Sequence, residues 1–189
     1  MKSLLLLATL FVAGCTSSVP TLNKYLLRSD AAPQFAGEPA TAVVGLGTLT
    51  VASYIDGLGL VLETDEGKIR EARDNQWAEP LRESLRSYLA QEIAAQAKQV
   101  IRARSSGEID GQRRIDIRID IRIDELHGTA SGEARLVAYW TVFDTTERKI
   151  TVESGLVESE RLSADGYPAL VAAEKVLLRR LAAAIAAKL

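Results

Sequence analysis

The side chains able to do chemistry are few. A single cysteine, Cys15, and a single histidine, His127, hold all the thiol and imidazole of the 189 residues. Carboxylates are plentiful, and Asp116, Asp120 and Asp124 recur at every fourth position of Arg114–Leu126, which reads RIDIRIDIRIDEL. Carboxylates on one face work as general acid and base when their surroundings push their pKa values apart. Here Arg114, Arg118 and Arg122 are interleaved with them, and a neighbouring cation favours the ionised form. A solvated face that neutralises itself fits that pattern better than proton transfer or partner binding. His127, next to Gly128, reads as an exposed residue at a hairpin end, with no function required of it. The sequence has no glycine-rich phosphate loop, metal-ligand spacing or nucleophile–base pair. One cysteine excludes an internal disulfide framework. A net charge of −2 gives no electrostatic case for nucleic acid.

Cys15 is informative through its position. Met1–Cys15 reads MKSLLLLATLFVAGC, with Lys2 as a positive start and Leu4–Ala13 as an apolar run. A helix that crosses a ~30 Å hydrocarbon core takes about 20 residues, so this run is too short to span and fits a secretory signal. Val12-Ala13-Gly14-Cys15 resembles a bacterial lipobox. Small residues give a peptidase access to the Gly14–Cys15 bond, and the thiol accepts a diacylglycerol. An ordinary signal peptide with an incidental cysteine is the weaker reading, because leader, spacing and the lack of any other cysteine agree. With an N-acyl chain added, several hydrocarbon tails would anchor the protein durably without a membrane span. Thr16-Ser17 follows the cysteine, where an Asp would favour inner-membrane retention; by resemblance to lipoprotein sorting rules, the outer membrane is expected.

Arg114–Leu126 also organises the fold. Strict alternation of Ile115, Ile117, Ile119, Ile121 and Ile123 with charged residues predicts a half-buried strand. At roughly 3.3 Å per residue it would run about 40 Å, with one aliphatic face that another layer must cover. Upstream, Lys24–Arg28 reads as an edge strand, Ser29–Pro39 as a loop and Thr41–Tyr54 as a strand. Asp56-Gly57-Leu58-Gly59 reads as a turn into Leu60–Glu63, the second arm of a hairpin. Lys68–Ala72 would add a short strand. A helix is expected to start near Asp74-Asn75, with Trp77, Leu81, Leu85, Tyr88, Leu89 and Ile93 as its apolar stripe and Pro80 near its start. After the loop Arg102–Gln112 and the long strand come Glu133–Phe143 and Lys149–Glu160. Ser163 or Asp165 would cap a last helix whose stripe is Leu170, Val171, Leu177, Leu178, Leu181 and Ile185. The expected class is α+β: two layers, a mostly antiparallel sheet with two amphipathic helices on one face. The expected organisation is a signal peptide over 1–14, the lipidated cysteine with tether and edge segment over 15–39, and one α+β domain over 40–189.

Two stretches carry a resemblance. Val51-Ala52-Ser53-Tyr54-Ile55-Asp56 followed by Leu60-Val61, and Trp77-Ala78-Glu79-Pro80-Leu81, resemble the ABC-type transport auxiliary lipoproteins. That family includes the PqiC component of membrane-integrity (MCE-type) transporters. The order of elements matches across nearly the whole mature chain. Ile55 stands where the family has Leu, and Gly57-Leu58-Gly59 where it tends to have a basic residue and a proline. The resemblance implies a non-catalytic outer-membrane lipoprotein facing the periplasm. It would carry no cofactor beyond the diacylglycerol and N-acyl chain on Cys15. Its partners would be the membrane, an MCE-domain protein and an inner-membrane ABC or multi-span permease, the cargo phospholipid or another hydrophobic molecule. Self-association stays open. Tyr54, Asp56 and Leu58 are the candidate partner contacts; an Asp before Gly is also ordinary turn chemistry. Two rivals remain: a lipoprotein that regulates an envelope-synthesis enzyme, and a free-standing lipid carrier. The first is disfavoured by a short tether, the second by a core that two flat-lying helices would fill.

Overall fold

The computed structural model describes residues 21–34, 42–64, 67–103, 109–110 and 113–189. The expected signal peptide, Gly14, Cys15 and the tether Thr16–Pro20 lie outside the described residues. So do the end of the Ser29–Pro39 loop and much of Arg102–Gln112. The strands are β1 (Asn23–Tyr25), β2 (Val44–Val51), β3 (Gly59–Thr64), β4 (Lys68–Trp77), β5 (Ile101–Arg102), β6 (Ile109–Asp110), β7 (Arg113–Arg114), β8 (Ile117–Thr129), β9 (Glu133–Asp144) and β10 (Lys149–Arg161). The helices are α1 (Leu81–Ala97) and α2 (Tyr167–Ala186).

The isoleucine-rich strand, β8, is the middle of the sheet. One edge pairs antiparallel with β9, which pairs with β10. The other edge is shared: β2 runs parallel to its first half, Val44 opposite Ile117 through Val51 opposite Ile123. β3 then runs parallel to its end, with Leu62 opposite Gly128. β4 pairs antiparallel with β3, and β1 and β5 add short parallel edges to β4 and β2. The α+β class holds, but the sheet is mixed rather than mostly antiparallel. Nor do β2 and β3 form a hairpin: they follow one another in the same direction, with residues 52–58 looping out between them. Parallel pairing needs a crossover, and α1, between β2 and β8, helps to supply it.

Ile119, Ile121 and Ile123 are buried, as alternation requires. α1 contributes Leu81, Leu85, Tyr88, Leu89 and Ile93 to the same core, and α2 contributes Leu170, Val171, Leu177, Leu178, Leu181 and Ile185. The helices touch each other, α2 packing over β9, β10 and β8 and α1 against β2 and β5. Both helix stripes match the expected 3.6-residue spacing. Each fully buried Leu or Ile is worth about 1.5–3 kcal/mol, so this shared layer dominates the stability.

Three boundaries differ from the sequence reading, each for an identifiable reason. β4 runs on through Asp74 and Asn75 to Trp77, because β1 pairs with that end of it. α1 therefore starts at Leu81 after Pro80, whose φ of −52° and ψ of 126° are extended rather than helical; the residue before a proline also resists helical geometry. Trp77 is a core anchor as expected, but on a strand. α2 is entered through Gly166 at φ 104°, a left-handed position that glycine tolerates, with no side-chain cap from Ser163 or Asp165. In β8 the register against β9 slips between Ile123 and Glu125. That bulge inverts the alternation, so Leu126 and not Glu125 joins the core.

Candidate functional site

The loop over residues 52–58 carries the three expected contact residues, and it is firmly tied down. Ile55 plugs the core at 1% exposure, its N–H donating to the Ala52 carbonyl at 3.1 Å. The Trp77 N–H donates to the Leu58 carbonyl at 2.6 Å, and the Gly59 N–H to Glu71 Oε1 at 2.9 Å. A Cβ on Gly59 would lie 2.4 Å from the Ala72 carbonyl oxygen, so this glycine allows two backbones to approach. Its role is packing, not an open backbone.

The three residues proposed as contacts do not converge on one centre. Asp56 forms an ion pair with Arg82 near the start of α1, so its first role is to hold loop to helix. Tyr54 turns to β8, its hydroxyl donating to the Asp124 carbonyl at 3.2 Å. Its pKa is raised to about 12, first by burial and then by Glu125, Glu63 and Asp124, so it stays a neutral donor. Leu58 is 45% exposed and offers the loop's freest apolar side chain, with Tyr54 at 36%.

His127 is not an exposed turn residue. It lies within β8 at 3% exposure, because the bulge places it on the outer face and Tyr54 closes over it, ring to edge, with centroids 6.0 Å apart. Its Nδ1 faces the Gly128 carbonyl at 3.1 Å, and its Nε2 lies 3.6 Å from Glu125 Oε2. Glu125 in turn pairs with Arg135 of β9. Both ring nitrogens therefore face acceptors of this small network and neither addresses a hydroxyl. Among the described residues no group of three or more His, Cys, Asp or Glu side chains is placed to hold a metal ion. The Tyr54–His127–Glu125–Arg135 cluster was missed by sequence reasoning. Its signal was two successive polar residues, Asp124 and Glu125, breaking the alternation.

Asp116, Asp120 and Asp124 are structural. Arg118 Nε pairs with Asp120 and Arg122 Nε with Asp124, each at 3.0 Å. The same guanidinium groups lie over Phe143 and Tyr139, at 4.7 and 4.6 Å from the ring centroids. Asp116 accepts the Val43 N–H at 2.8 Å, and Asp120 accepts the Thr48 N–H at 2.6 Å. Thr48 sits where β2 slips register against β8, so Asp120 satisfies a backbone donor that the ladder leaves over.

No helix among the described residues is long and apolar enough to cross a membrane. Two curated relatives, each an intermembrane transport lipoprotein PqiC, from Escherichia coli (strain K12) and Shigella flexneri, are 31% identical over 96 residues. That match covers 50% of this chain, and the chain spans about half the length of these relatives, 51%. Among solved structures, an uncharacterized protein has a TM-score of 0.72 at 18% identity, over 88% of this chain and 97% of its own. A protein from Xanthomonas campestris has a TM-score of 0.66 at 13% identity, over 86% and 92%. These two share the fold. Residues 25–186 match the family of ABC-type transport auxiliary lipoprotein components, and the chain belongs to that family.

Proposed function

We propose that the protein is a lipid-anchored, non-catalytic subunit of an ABC/MCE-type system that moves phospholipid or another hydrophobic cargo across the cell envelope. Cys15 carries the acyl chains and holds the domain to the periplasmic face of the outer membrane. The 52–58 loop contacts an MCE-domain protein, whose inner-membrane ABC or multi-span permease drives transport. The observation that carries the adaptor reading is the pairing of a pinned backbone with an exposed apolar tip: Ile55 and Asp56 fix the loop while Leu58 stays 45% exposed. Such a loop presents an apolar contact without first having to be ordered. Glu125 and the Gly128 carbonyl engage the ring nitrogens of His127, which supports a non-catalytic reading of that residue.

The experiment is partner capture. Leu58→Asp should leave folding and lipidation intact and impair both co-purification with the MCE protein and resistance of the envelope to detergent. Tyr54→Ala should impair capture more weakly, because Tyr54 is less exposed than Leu58 and its hydroxyl is turned to the Asp124 carbonyl. His127→Ala should disturb neither readout beyond its effect on stability. A capture defect confined to His127→Ala would sink the adaptor reading.

A further inference from the structure

β1 is the first described element after the anchor, and its two sides differ. Asn23 Nδ2 and the Tyr25 hydroxyl both donate to Asn75 Oδ1 of β4, at 3.2 and 3.0 Å, so these residues face the sheet. Alternation sends Leu22, Lys24 and Leu26 to the other side. Leu22 is 47% and Leu26 39% exposed, whereas the next residue, Leu27, is buried in the core. The Ala78 N–H donates to the Tyr25 carbonyl at 2.8 Å, holding this edge in place. Arg28 is exposed just beyond.

Scattered exposed leucines are normal and would carry nothing alone. Their place relative to the anchor changes that. Seven Cα steps separate Cys15 from Leu22, and at no more than ~3.6 Å per residue they span at most about 25 Å. Leu22, at the start of β1, is thus held within about 25 Å of the anchor, and β1 is closer to it along the chain than any other described element. β10, with exposed Ile150 and Val157, lies at the far edge of the sheet beyond β8 and β9. We propose that the Leu22–Lys24–Leu26 side of β1 lies against the membrane that holds Cys15, its two leucines at the headgroup–acyl boundary and Lys24 and Arg28 on anionic headgroups. Apolar side chains interleaved with cations suit that boundary, where Lys and Arg stems reach along the apolar layer and their charges meet lipid phosphates. The contact orients the domain, so that the anchor does not merely leave it on a leash. This inference rests on the lipidation of Cys15 proposed above.

The test uses the full lipidated chain in vesicles of phosphatidylethanolamine and phosphatidylglycerol. A thioether at Cys15 does not react with maleimides, so Leu22→Cys, Leu26→Cys or Val157→Cys each offers one site for an environment-sensitive fluorophore. Labels at 22 and 26 should shift to the blue and be quenched by nitroxide-bearing lipids, and the label at 157 should do neither. Adding Lys24→Glu and Arg28→Glu should reduce the quenching at 22. Anchored protein whose labels at 22 and 26 are as wet as the one at 157 would overturn the inference and leave the lipoprotein reading standing. A chain that carries no acyl group and stays off the vesicles overturns both.

Discussion

Replacing Ile119 by aspartate is expected to destabilise the domain by about 3–5 kcal/mol, the cost of an unpaired charge in a low-dielectric interior. Ile119 has no exposed surface and sits opposite Val142 in the middle of the sheet, in the core cluster that both helices join. The arginines of β8 lie on its other face, and Arg86 of α1 is engaged by the Leu46, Gly47 and Ala103 carbonyls, so the new carboxylate would have to stay protonated or drag water inward. Asp120→Ser, one residue along, should cost far less, about 1–2 kcal/mol for a partly exposed ion pair and a charged hydrogen bond to the Thr48 N–H. Urea denaturation of both variants measures the contrast. Equal losses would mean that the two faces of β8 are equally buried.

The second large effect concerns Glu174, a carboxyl in the wrong company. It is 1% exposed within the stripe that α2 presents to the core, one turn from Leu170, Val171, Leu177 and Leu178, and its Oε2 has no hydrogen-bond partner among the described residues. Burial pushes its pKa well above the ordinary carboxylate range. In the unfolded chain it would titrate near 4.3. A raised folded pKa means that folding binds a proton, so this residue's stabilising share is complete below the unfolded pKa. That share is lost as pH rises toward the folded pKa. Glu174→Gln should therefore gain on the wild type as pH rises from about 4 to 8. Glu174→Leu should be more stable than the wild type at neutral pH, because it removes a polar group that no partner satisfies. Denaturation curves of the three proteins across that pH range check both statements. A difference between wild type and Glu174→Gln that does not change with pH would show that the carboxyl reaches solvent.

The elements legible in the sequence were those that local periodicity encodes. The β8 isoleucines and the stripes from Leu81 to Ile93 and from Leu170 to Ile185 each bury one face, and burial of one face is what an alternating or 3.6-residue pattern records. β4 was legible only at its start, because KIREARDNQW is polar on both sides. Its strand geometry comes from pairing to β3 and β1, which leaves no local trace. The direction of β3 was illegible for a related reason. Leu60-Val61-Leu62 satisfies the core whether it returns as a hairpin or continues parallel along β8, and only the long-range partner decides. At the loop, the glycines and the Asp56 turn were legible as a turn, but the Arg82 partner lies on an element whose start had been misplaced. His127 was misjudged because one bulge moved it from a hairpin tip into a strand, under Tyr54. The buried Glu174 was overlooked because a single acidic residue in a helical stripe looks like a boundary between faces.

A membrane-tethered adaptor needs its anchor, and Cys15 is the residue on which the anchor depends. Labelling cells with radioactive palmitate, in wild type and in Cys15→Ala, tests it directly. The wild-type protein should take up the label and fractionate with the outer membrane. Cys15→Ala should take up none and remain as unprocessed precursor. Equal incorporation in the two, or none in either alongside a processed, freely soluble wild-type protein, would contradict it.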